Sequence, residues 1–173
     1  MPLAPSQSAT YKSVDLPIFE LTPERFAAYG SVIAPIEDGA LRGNDAALDL
    51  SAGRPRLYAM RIVARGLTVT QITRHRRVTQ ALASVGGHTW FLAVAPPLMV
   101  DDPIAEPALG DVVAFRIPGD VAVLLHKGTW HAGPLFEGEP QSFFNLELTD
   151  TNAVDHHTSN LVSRFGCALR LCK

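Results

Sequence analysis

From Leu57 onward the chain is a succession of short apolar, β-branched runs: "LYAMRIVA", "LTVTQIT", "TWFLAVA", "DVVAFRI", "DVAVLLH", "SFFNLEL" and "FGCALRL". Turn signals separate most of them: Arg65-Gly66, Gly86-Gly87, Pro96-Pro97, Pro118-Gly119 and Gly138-Glu139-Pro140. Valine, isoleucine, threonine and aromatic side chains suit a pleated, half-buried surface, and glycine and proline interrupt it. Strands of this kind must bury their apolar faces against one another, so the expected fold is an all-β barrel or sandwich. Residues 1–173 fit one domain, long enough to bury a proper core.

Ahead of these runs, residues 1–16 read as an extended arm. "LTPERFAAYG" then supplies a short helix, with Thr22 as N-cap, Pro23 at the first helical position and Gly30 as the stop. Phe26 and Tyr29, three apart, can share one face. Residues 37–55 form a polar loop without a clean period, and the proline-rich region 96–109 reads as a long exposed connection.

Charge and composition exclude several classes. A net charge of −2 argues against a general nucleic-acid binder, and the one basic cluster, Arg74-His75-Arg76-Arg77, reads as a solvated strand face. No apolar run approaches the roughly 20 residues of a membrane span, and "MPLAPSQSATYK" lacks the plan of a secretory signal. Cys167 and Cys172 match no zinc framework or disulfide scaffold and read as two reduced thiols in a terminal strand, consistent with a cytoplasmic setting.

The six histidines are unevenly spread. His126 and His131 lie five apart in "LLHKGTWHAGPL", beside Lys127 and Trp130. In the stretch 66–87, Thr73 and His75 share one face of a strand, with Gln80 five residues further on. A barrel interior is wide enough for one small ligand, and inward-pointing side chains from both stretches can meet there. His126 alone reads as a hydrogen-bonded structural residue, Trp130 as core or pocket wall, and His156-His157 as a solvated loop.

The spacing Thr73-x-His75-x4-Gln80-x6-Gly87, followed by His126-x-Gly128-x2-His131, resembles the two cupin motifs. More narrowly, "LTPERFAAYGSVI", "GRPRLYAMRI", "RHRRVTQAL" and "HKGTWHAGPLF" resemble the ureidoglycolate lyase family (also called ureidoglycolate hydrolase) over roughly residues 20–150. Typical members read Glu-Arg-His where this chain has Thr73-Arg74-His75, so one potential carboxylate ligand is absent. The resemblance implies a cupin-type β-barrel, a homodimer, and cleavage of ureidoglycolate to glyoxylate and urea in purine nitrogen breakdown. It also implies a divalent metal, nickel being one choice.

That reaction requires a base for the substrate hydroxyl, an acid for the departing nitrogen and a cation for the carboxylate. His75 and His131 are the candidate metal ligands or, without metal, the acid–base pair. Gln80 is a candidate third ligand or a hydrogen-bond donor to substrate. Arg74 and Lys127 are candidate carboxylate clamps, although strict alternation points Arg74 away from His75. On "SFFNLEL", Asn145 and Glu147 share one face, and Glu147 is the candidate to supply the carboxylate missing at position 73. Asn145 and Trp130 complete the candidate substrate wall. Two rivals stand beside the lyase: another enzyme of small hydroxy or oxo acids on the same barrel, and a non-catalytic carboxylate-binding cupin.

Overall fold

A computed structural model describes residues 11–38 and 45–172. The elements in chain order are β1 (Lys12–Glu20), α1 (Pro23–Phe26), β2 (Gly30–Ile33), β3 (Pro55–Ile62), β4 (Thr68–Val69), β5 (Gln71–Arg74), β6 (Gln80–Ser84) and β7 (Trp90–Ala95). They continue as β8 (Val113–Ile117), β9 (Ala122–Leu125), β10 (Trp130–Leu135), β11 (Gln141–Leu148), α2 (Thr151–Val154), β12 (His157–Asn160), α3 (Leu161–Phe165) and β13 (Cys167–Cys172). The strands form an eight-stranded sheet, β12-β5-β10-β7-β8-β1-β13-β4, and a five-stranded sheet, β2-β9-β6-β11-β3. The all-β expectation holds. The expected arm is strand from Lys12 onward, pairing in parallel with β13 and β8; its residues 1–10 lie outside the described residues.

Alternation along β7 explains why "TWFLAVA" is apolar throughout. Trp90, Leu92 and Val94 enter one core cluster with Leu82, Val123, Leu125 and Phe143 of the five-stranded sheet. Ala93 and Ala95 face the other way, into a second cluster with Leu16, Ile72, Trp130 and Leu169. A strand buried on both faces has no position for a polar residue.

The single-turn helix α1 begins as expected: the Thr22 hydroxyl accepts the Arg25 amide at 3.3 Å, with Pro23 in the first turn. Phe26 packs against Tyr29 and edge-on against Phe115, at 6.0 and 5.3 Å between centroids. Gly30 has a role beyond stopping the helix. It opens β2 against Leu125, and a Cβ there would sit 1.8 Å from the Leu124 carbonyl oxygen, so only glycine permits the approach. The two cysteines are unbonded thiols on the terminal strand β13.

Candidate active site

Register places the site between the two sheets. His131 pairs with Thr73 on β5 and Val94 on β7, so all three share the face turned toward the five-stranded sheet. His75 follows one residue beyond the end of β5, on the same face as Thr73. Opposite, Tyr58 pairs with Asn145 and Asn145 with Leu82. These pairs put Tyr58, Gln80, Asn145 and Glu147 on one inward face. The cavity, open to solvent on one side, is about 680 Å³ and is lined by Tyr58, Thr73, His75, Gln80, His131, Asn145, Glu147, Asn152 and His156, among others. That volume is in the range of small-molecule sites and leaves ample room for a small organic acid.

The two imidazoles lie 5.2 Å apart, centroid to centroid. His75 has its Nδ1 2.5 Å from the Asp155 carbonyl oxygen, and His131 has its Nδ1 3.2 Å from the Thr129 carbonyl. A carbonyl only accepts, so each Nδ1 carries the proton and each Nε2 keeps its lone pair. Burial lowers the pKa of both. His131, fully enclosed and beside His75, falls to about 3. His75 is lowered chiefly by burial as well, with the Asp155 carbonyl opposing. The cavity therefore presents two neutral imidazoles at neutral pH.

Asp155 fixes the first of these. Besides receiving His75 at its carbonyl, it accepts the Arg76 and Arg77 amides at its carboxylate oxygens, each at 2.8 Å. The turn after β5 is thus pinned by one buried side chain. Glu147, 1% exposed, accepts from the Tyr58 hydroxyl at 3.1 Å, from Gln80 Nε2 at 3.1 Å and from Asn152 Nδ2 at 3.4 Å.

The structure brings His75, Gln80, His131, Asn145 and Glu147 together and sets three other candidates apart. Arg74 faces the opposite side of β5. Its guanidinium lies 4.7 Å from the Trp130 ring centroid and donates to His157 Nδ1 and to the Leu98, Met99 and Asp102 carbonyls. Alternation decides this, with no bulge to reverse it. Trp130 is on that same far face, in the core. Lys127 pairs with Asp49, holding that carboxylate below its ordinary pKa. Asp49 in turn exchanges backbone and hydroxyl bonds with Thr79. No residue of the described 45–55 stretch lines the cavity. His126 is exposed, its ring near the Ala27 carbonyl.

Two sequence expectations need correction. The Arg74–Arg77 cluster is not a solvated face: Arg74 is fully buried beneath the 98–102 loop, and Arg76 also donates to that loop's carbonyls. The solvated-loop expectation holds only for His156, which is exposed in the loop before β12 but also borders the cavity with its ring 5.7 Å from His75; His157 opens β12, half-buried and edge-on to Trp130 at 4.9 Å. Adjacent residues at a strand start face opposite ways, which was the signal available for one of them pointing inward. Tyr58, Asp155 and the cavity-lining arginines Arg61 and Arg65 carried no such signal. Both arginines are exposed, and among the described residues neither has a hydrogen-bond or ion-pair partner through its side chain.

Among the described residues no three of His, Cys, Asp and Glu are arranged to hold a metal ion. His75 and His131 offer two nitrogens, and the Glu147 oxygens already receive three donors. The protein's own donor set falls short of what a divalent ion prefers.

Two strand layers enclosing a polar, histidine-bearing cavity for one small ligand define a cupin-type β-barrel. The profile described as Ureidoglycolate lyase matches residues 13–163, and the chain belongs to that family. It is 30% identical over 129 residues to the ureidoglycolate lyase of Stutzerimonas stutzeri (strain A1501), covering 67% of this chain and 72% of that protein. The ureidoglycolate lyases of Pseudomonas putida (strain GB-1) and Pseudomonas entomophila (strain L48) are each 30% identical over 156 residues, covering 82% of this chain and 90% of theirs.

Proposed function

We propose that this protein is a ureidoglycolate lyase acting in purine nitrogen breakdown, releasing glyoxylate and urea. The observation that carries the reading is the pair of neutral imidazoles 5.2 Å apart in a polar cavity that admits a small acid; family membership supports it. His75 Nε2 takes the substrate hydroxyl proton. The oxygen electrons form the aldehyde carbonyl as the carbon–nitrogen bond breaks, and the imidazolium returns the proton to the leaving nitrogen. With a pKa of about 3, His131 is too weak a base to carry that proton near neutrality; the single hydroxyl proton goes to His75, and His131 Nε2 accepts a hydrogen bond from a substrate N–H.

Arg65, exposed on the cavity lining beyond the end of β3 and without a counter-charge, replaces Arg74 and Lys127 as the carboxylate clamp; Arg61 shares the outer face of β3 with Leu57 and Ala59. The proposed steps do not depend on a divalent ion such as nickel, for which His75 and His131 are an incomplete donor set. The free thiols suit a cytosolic setting.

The test is urea and glyoxylate release from racemic ureidoglycolate, using metal-stripped protein with and without Ni²⁺, Mn²⁺ or Zn²⁺. Release above the spontaneous rate and lost in His131→Ala is the expected result. No release under any condition overturns the reading.

The homodimer belongs to the same proposal. On the outer face of the five-stranded sheet, Leu57 pairs with Leu146 and Ala59 with Phe144. Leu57 and Phe144 are 67% and 46% exposed. A second copy packed here would cover them, the usual fate of so apolar a sheet face. Light scattering is expected to give twice the chain mass for the wild type and the chain mass for Phe144→Glu. A monomeric wild type removes the dimer.

A further inference from the structure

Gln80 and Asn145 line the cavity, are 6% and 4% exposed, and each has an amide oxygen, Oε1 and Oδ1, buried without a donor. An amide side chain turned by 180° keeps nearly the same shape, so something must select the orientation that leaves both oxygens unpaired. Glu147 selects it. A carboxylate only accepts, so Gln80 must present its NH₂ to Glu147 Oε2. The Tyr58 hydroxyl has one proton, which it gives to Glu147 Oε1, and so it must accept from Asn145 Nδ2 at 3.0 Å. One carboxylate therefore draws both amide nitrogens to its side and leaves two acceptors over.

Buried acceptors are nearly always satisfied, and leaving them unpaired costs free energy. We propose that Glu147 is a positioning residue that holds the Gln80 and Asn145 oxygens as acceptors for the N–H groups of a ureido ligand. A ureido group suits them because it is neutral and carries N–H on two nitrogens. A carboxylate at the same place would meet two acceptors and the Glu147 charge. Binding polarity follows: ureido end to Gln80 and Asn145, carboxylate end to Arg65. This deepens the lyase reading and rests on it for the identity of the ligand.

The experiment compares two probes by calorimetry. Ureidoacetate has the ureido and carboxylate groups but no hydroxyl, so it cannot be cleaved; levulinate has the same shape with CH₃ and CH₂ in place of NH₂ and NH. Wild-type protein is expected to prefer ureidoacetate by at least about tenfold, because a site built for N–H donors rejects an analogue without them. In Glu147→Gln the preference is expected to collapse to within about threefold while levulinate affinity holds, since the carboxamide no longer fixes either amide. Tyr58→Phe frees only the Asn145 amide and is expected to lower the preference part of the way, which provides the test if Glu147→Gln fails to fold. A uniform loss of both affinities would mark a merely structural role and overturn the proposal. Equal binding of the two probes by a wild type that cleaves ureidoglycolate also overturns it and leaves the lyase reading standing. A preserved preference without cleavage supports it and removes the lyase.

Discussion

His75→Ala is expected to lower kcat for urea release by about 10²–10⁴-fold, the usual contribution of a positioned general base. KM should change little, because the carboxylate and ureido contacts lie elsewhere in the cavity. The pH profile gives a second readout. Only neutral imidazole can accept the hydroxyl proton, so wild-type activity is lost as pH falls through the His75 pKa. Burial holds that pKa below 6.5, and the acid limb should have its midpoint there. The limb should vanish from the residual activity of His75→Ala. A variant with near-wild-type kcat, or an unchanged acid limb, removes His75 from the chemistry.

Arg74→Ala is expected to destabilise the fold by about 3–5 kcal/mol, the scale seen when a buried charged group with several hydrogen bonds is removed. Its guanidinium is fully buried, faces the Trp130 ring and bridges to the Leu98, Met99 and Asp102 carbonyls. Deletion strands those acceptors and leaves a void beneath the loop. In a chain of this length the loss corresponds to a Tm lower by about 6–20 °C. Arg65→Ala should behave in the opposite way, with an unchanged melt and a KM for ureidoglycolate raised about tenfold through loss of a charge-assisted contact. Melting curves and steady-state kinetics on the two variants separate a structural cation from a substrate clamp. A normal melt with raised KM for Arg74→Ala would reverse the assignment.

Much of the site was legible because cavity walls built from strands obey a period of two. Thr73 with His75, and Asn145 with Glu147, could be placed on common faces from spacing alone, and the same rule pointed Arg74 away. Lys127 misled because its neighbours in sequence, His126 and His131, suggested shared purpose; its partner, Asp49, lies in a loop whose course no local pattern revealed. Arg65 was missed for the same reason. Its place at the cavity depends on the course of the chain after β3, the edge strand of the five-stranded sheet.

The sequence by itself determined the class of fold, the helix cap at Thr22, the inward faces of individual strands and the resemblance to a family. Each follows from interactions between residues close along the chain, or from short motifs. Only the tertiary structure decided which faces meet. It set His75 against His131 and His156, tied Arg74 to a loop 24–28 residues away, and wired Gln80 and Tyr58, and Asn145 through Tyr58, to the buried carboxylate of Glu147. Which way an amide turns, or how far burial lowers an imidazole pKa, depends on partners brought from distant strands, and alternation along one strand carries no record of them.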